Sequence, residues 1–107
     1  MSTLALSTIT AVNTLGTSPI SVIGANATRK SITFHAPGSN DIYVFPTSVL
    51  VNGANSTLTP SLASLGGGFR IFAGGDRTIT GPTACQAWQA LAASGSNQPL
   101  TIMEQTQ

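Results

Sequence analysis

The residues able to do acid–base chemistry in this 107-residue chain are few: one histidine, His35, and three carboxylates, Asp41, Asp76 and Glu104. General acid–base catalysis needs such groups brought together, most often a histidine with a carboxylate. Position in the chain favours a single pairing. His35 and Asp41 flank Pro37-Gly38-Ser39-Asn40, so a hairpin there sets them face to face across its turn. The plainer reading of the pair is a solvent-facing imidazole beside a turn carboxylate. A hydrolase would add a serine nucleophile to His35, but no serine stands in the Gly-x-Ser-x-Gly context of a nucleophile elbow.

Other chemistries find less. Gly66-Gly67-Gly68 lacks the spacing of a phosphate-binding loop and the lysine that would reach a phosphate, so a flexible surface loop is expected. One histidine, one cysteine and three scattered carboxylates form no metal-ligand spacing, and no cofactor site is expected. Cys85 is alone, which rules out an intrachain disulfide, and has no histidine or cation beside it to activate its thiol. It reads as a small, partly or fully buried residue. Asn26-Ala27-Thr28 and Asn55-Ser56-Thr57 match the glycosylation sequon, yet the N-terminal segment lacks the basic region of a secretion signal.

The elements that must position these residues are short strands. Ile32 and Phe34 fall on one face and Ser31, Thr33 and His35 on the other, the two-residue period of a half-buried strand. Pro37-Gly38 breaks that run and Ile42-Tyr43-Val44-Phe45 begins the next, so Arg29 to Phe45 reads as a β-hairpin. Further strands are expected at Ile20 to Ile23, Ser48 to Val51, Phe69 to Phe72, Thr78 to Thr80 and Leu100 to Glu104. Asn52-Gly53 marks a tight turn, because both residues tolerate positive φ. Ala84 to Ala93 is ambiguous: its Ala and Gln content favours helix, but the Ser94-Gly95-Ser96-Asn97 that follows makes strand, turn, strand the preferred reading. Val22 to Thr28 and Val51 to Thr57 share five of seven residues, which two copies of a strand-end turn explain. The expected fold is all-β: one antiparallel β-sandwich or jelly-roll-like barrel with at most one short helix. Residues 1–12 form an N-terminal arm or first strand, and 13–107 the sandwich domain.

Composition narrows the function classes. Charged residues make up 7% of the chain, against about 25% in an ordinary soluble domain. Its water-facing positions must therefore be filled mainly by Ser, Thr, Asn and Gln. Hydrophobic residues at 41%, in alternating runs, argue for a folded core. A net charge of +1 without clustered Lys or Arg excludes a strong nucleic-acid role. No apolar run approaches the ~20 residues of a membrane-spanning helix. What remains is protein contact. Tyr43, Arg70, Phe72 and Trp88 are candidate interface anchors, since aromatics and arginine carry much of the binding energy at interfaces. Leu4 and Leu6 join them if the N-terminal segment pairs with a neighbour's sheet edge. The competing reading places Phe72 and Trp88 in the core.

The order of features resembles that of capsid decoration (cement) proteins, small β-rich proteins encoded among tailed-phage head genes. The resemblance rests on Asn26-Ala27-Thr28-Arg29 entering a strand and on Ile32 to Gly38 running into an Ala-Pro-Gly turn. Asp41-Ile42-Tyr43-Val44 and the closing Leu100-Thr101-Ile102-Met103-Glu104 complete it, over about residues 20 to 105. Gly66 to Phe72 departs from it, since such chains commonly carry a shorter Pro-Gly turn there. The resemblance implies a structural, non-enzymatic virion protein that binds the phage major capsid protein on the head surface after assembly in the host cytoplasm. It also implies many copies, with a homodimer as one option, and no cofactor, nucleic acid, membrane or small-molecule substrate. The alternative is a receptor- or glycan-binding module of a tail fibre or spike, with Trp88 and Tyr43 stacked on sugar.

Overall fold

A computed structural model describes residues 6–63 and 68–106 of the chain. Ten strands and one 3₁₀ turn are present among them: β1 (Leu6–Leu15), β2 (Ile20–Ile23), β3 (Arg29–His35), β4 (Ile42–Pro46), β5 (Ser48–Val51), β6 (Ala54–Thr57), β7 (Phe69–Ile71), β8 (Asp76–Thr80), the 3₁₀ turn Pro82–Cys85, β9 (Trp88–Ala92) and β10 (Gln98–Thr106). Two four-stranded antiparallel sheets carry the fold, ordered β1-β10-β3-β8 and β2-β9-β4-β7, and β5-β6 is a separate hairpin.

The pairing is nested. β1 pairs with β10, β2 with β9, β3 with β8 and β4 with β7, as in one long hairpin of eight strands. Folding that ribbon so that successive pairs fall in opposite sheets creates the remaining contacts, β10 with β3 and β9 with β4. This winding is a jelly roll. The fold class read from the strand pattern is therefore correct, and the strand order selects the jelly-roll form of the sandwich.

Alternation explains which residues fill it. Ile32, Phe34 and Ala36 from β3 and its exit, Ile42 and Val44 from β4, Trp88, Ala90 and Ala92 from β9, and Leu100 and Ile102 from β10 are all buried in one cluster. Trp88 is its largest member, with ring centroids 5.0 Å from Phe34 and 6.0 Å from Phe69. The small residues Ala90 and Ala92 follow it on the same face, leaving room for the facing sheet. Alanine's helix propensity is overridden there, because β9 is a central strand whose inward positions after Trp88 are taken by small residues. Among the described residues only Pro82–Cys85 turns helically, with Pro82 opening it and Ala84 buried.

The hairpin expected over Arg29 to Phe45 does not form. β3 pairs with β10 and β8, whereas β4 pairs with β9 and β7 in the opposite sheet. Residues 36–41 form a corner between the sheets. Ala36 is buried in it, Gly38 lies against Pro99, and Asn40 bonds Gln98 Oε1 at 2.8 Å while accepting from Ser94 at 2.7 Å. Alternation fixes which face a strand buries and leaves its neighbour open, so two well-patterned runs around a Pro-Gly turn fit a corner as well as a hairpin. Residue 12 lies within β1 (Leu6–Leu15), whose regular pairing with β10 runs from Leu6 to Val12 and shifts between Val12 and Leu15.

The tight turn at Asn52-Gly53 is present, with φ of 51° and 82° at its two central residues, and it joins β5 to β6. The two similar segments take different structures: Val51 to Thr57 spans this hairpin, while Gly24 to Thr28 is the loop before β3. Past β6 the chain returns over the outer face of the β2-β9-β4-β7 sheet. Gln89 bonds the Leu58 carbonyl at 3.0 Å, and Phe45 and Leu91 are buried although they alternate away from the main core. Gly68 is pressed on Phe45 so closely that a Cβ would lie 2.2 Å from the ring. At that position the glycine run is a packing device, where a flexible surface loop was expected; Gly66 and Gly67 lie outside the described residues.

Candidate protein-interaction site

Two of the seven charged side chains, Arg29 and Glu104, tie one end of the sandwich together. Arg29 starts β3, where the Asn26 side chain accepts from both the Thr28 amide (3.0 Å) and hydroxyl (2.8 Å) and forms the turn that aims the strand. The Asn26-Ala27-Thr28 sequon is thus an Asx turn. The Arg29 guanidinium is buried at one end of the sandwich. Its Nε donates to Glu104 Oε2 at 2.8 Å, Nη1 to the carbonyls of Ala84 (2.7 Å) and Gln86 (2.9 Å), and Nη2 to that of Gly24 (2.8 Å). One fork therefore ties β3 to β10, to the 3₁₀ turn and to the β2–β3 loop. The Asn-x-x-Arg and Leu-Thr-Ile-x-Glu segments noticed in the sequence are the two halves of this buried pair.

His35 and Asp41 are bound in separate places. His35 Nδ1 lies 2.9 Å from the Gly75 carbonyl, and across the sheet His35 stands opposite Asp76. Asp41 accepts from Arg70 Nε at 2.9 Å, from a second Arg70 nitrogen, and from the Ala73 amide at 2.8 Å. Those bonds, the Arg70 bond foremost, hold the Asp41 carboxyl below its usual range and raise Arg70. A shallow open concavity of about 450 Å³ is lined by Ala27, Arg29, Lys30, Gly81, Pro82 and Cys85. The Cys85 thiol is partly exposed there and donates to the Arg29 carbonyl at 3.1 Å. Among the described residues no three of His, Cys, Asp and Glu are grouped closely enough to hold a metal.

Three of the candidate anchors do come together. Tyr43 on β4 stands opposite Arg70 on β7, so both project from the outer face of their sheet. The Arg70 guanidinium sits 4.6 Å from the Phe72 ring centroid and 6.0 Å from that of Tyr43, within cation–π range. Phe72 is 62% exposed. Asp41 clamps Arg70 from the other side, which fixes its long side chain before any partner arrives and lowers the entropy lost on binding. Sequence separation hid that clamp, because the two residues meet only through the β4–β7 pairing.

The other candidates differ. Trp88 is fully buried and leaves the list of surface anchors: it shares an inward face with Ala90 and Ala92. Leu4 lies outside the described residues, and Leu6 opens β1. Ile9 (64% exposed) and Met103 (38%), opposite each other on β1 and β10, were missed. Their signal was present in the alternation, which sets Ile9 on the other face from Thr8 and Thr10.

The chain matches no protein-family model, and no characterised protein or solved structure is significantly similar to it.

Proposed function

We propose that this chain is a non-enzymatic decoration protein of a tailed-phage capsid, bound to the outside of the assembled head through the major capsid protein. The observation that carries this reading is how the charged and aromatic side chains are used. Arg29 and Glu104 are spent inside the fold, while Tyr43, Arg70 and Phe72 form a preorganised, solvent-facing cluster. Elsewhere the surface is poor in charge and rich in hydroxyls. On the outer face of the β1-β10-β3-β8 sheet, for example, Thr33 and Thr78 bond each other at 2.8 Å. Such a surface meets a protein lattice without long-range repulsion. Binding the formed lattice and not loose subunits stabilises it by RT ln(1 + [L]/Kd), about 2.7 kcal/mol per site at a hundredfold excess over Kd.

The test is co-sedimentation of the purified protein with expanded heads of its own phage. Saturable binding and a raised head-melting temperature are expected, and Phe72→Ala should weaken binding about tenfold or more while leaving the fold intact. Failure to bind heads would overturn the reading. Binding to host glycans with none to heads would replace it by the adhesion alternative, which keeps Tyr43 but has lost Trp88 to the core.

A further inference from the structure

Four strands end the two sheets, and each has one side that pairs with no other strand among the described residues. Edges of this kind are guarded in stable monomers by shortness, proline, charge or an inward-pointing charged residue. Three of the four edges here are guarded. β7 has three residues and carries Arg70. β2 has four and follows Pro19. β8 carries Asp76 and Arg77, and the Arg77 guanidinium lies 5.0 Å from the Phe69 ring across the gap between the sheets. Between Leu6 and Val12, before its bulge, β1 has none of these devices. It is ten residues long and contains no charge, no proline and no glycine. It pairs with β10 alone among the described residues, and its regular register runs from Leu6 to Val12 before a bulge.

We propose that β1 is a homodimerisation edge, on which β1 of a second copy pairs antiparallel about a twofold axis at Ile9. The two four-stranded sheets then become one of eight strands. A second copy fits this edge better than a foreign chain for two reasons. The strand offers no charge by which to select an oppositely charged partner, and two copies meet on it without repulsion. It is also self-complementary. In antiparallel pairing opposite residues share a face, so the axis at Ile9 sets Ile9 against Ile9 and Thr8 against Thr10. Ile9 and Met103 of both copies then form one apolar stripe on the outer face, with hydroxyl pairs behind it. Shifting the register by two residues puts Ile9 opposite Ser7 or Ala11 and breaks the stripe.

Sedimentation equilibrium and disulfide trapping test this in the full chain, without capsids, so the outcome is independent of the capsid reading. The wild type is expected at twice the 10.9 kDa chain mass. Ile9→Lys, on an exposed position that the monomer tolerates, places two ammonium groups at the axis and should raise Kd at least about tenfold. In a Cys85→Ser background, Ile9→Cys should oxidise to a covalent dimer and Thr78→Cys, on β8, should not. A wild type that stays monomeric at the highest concentration reached overturns the proposal. So does a dimer indifferent to Ile9→Lys, or one trapped equally well through Thr78→Cys.

Discussion

Replacing Arg29 by methionine removes the one guanidinium that holds an end of the sandwich closed, and the cost follows from what it leaves behind. Glu104, only 12% exposed at its side chain, loses its counter-ion, and the carbonyl of the fully buried Ala84 loses its donor. The carbonyls of Gln86 and Gly24 belong to exposed residues and rehydrate at little cost. Breaking one side of a buried ion pair costs about 3–5 kcal/mol. That is a large share of the about 5–15 kcal/mol by which domains of this size are stable. With a urea m-value of about 1.5 kcal/mol per molar, the midpoint should fall by about 2–3 M. Trp88 is the single tryptophan and is buried, so its fluorescence reports the transition. Arg29→Lys keeps the charge but not the fork and should cost about half as much. The double variant Arg29→Met/Glu104→Met should be less destabilised than the sum of its singles by about 1.5 kcal/mol or more, because no unpaired charge is left buried. An Arg29→Met cost below about 1 kcal/mol, or strict additivity in the double variant, would refute the assignment of Arg29 as the structural tie.

Two further outcomes follow from local geometry. Asp41 has a lowered folded-state pKa, so its contribution is present above the unfolded carboxyl value of about 3.9 and is lost as pH falls through the folded value. Asp41→Asn should therefore lower the profile above about pH 4 by a constant amount, with its slope there unchanged, and flatten the acid limb below about pH 4, as thermal melts across pH would record. Gly68→Ala puts a methyl group 2.2 Å from the Phe45 ring and should cost about 1–3 kcal/mol by displacing the covering segment; an unchanged melting temperature would mean that this segment does not pack as described.

Much of the fold was legible because alternation writes itself directly into sequence. Ile32 and Phe34, Leu100 and Ile102, and the Asn52-Gly53 turn could be placed by pattern alone, and all sit where the pattern puts them. Partner choice was not legible. A Pro-Gly break between two patterned runs looked like a hairpin at Arg29 to Phe45, but each run needed inward packing against the other's sheet rather than pairing with it. Phase decided the aromatic residues. Phe72 follows the inward Ile71 and so turns outward, whereas Trp88 shares the inward face of Ala90 and Ala92. Phase alone would also have left Leu91 on the surface. It is buried on the face where Gln89 bonds the Leu58 carbonyl of the chain inserted between β4 and β7, an approach no local pattern encodes.

The nested winding also decides how the two exposed features relate. β1 and β2 end the sheets on one side, and β8 and β7 end them on the other, where Arg77 on β8 reaches the Phe69 ring on β7. Tyr43, Arg70 and Phe72 gather around β4 and β7, on the side away from β1. A dimer joined through β1 therefore covers neither cluster. It holds two of them at fixed separation, one at the β7 end of each β2-β9-β4-β7 sheet. On a repeating lattice, seating the first cluster turns binding of the second into an intramolecular event, so affinity can rise 10²–10⁴-fold, on the order expected for linked sites, provided the lattice spacing matches. On the proposed capsid reading, strong attachment then needs no strong single contact from a chain with seven charged residues, four of them paired internally.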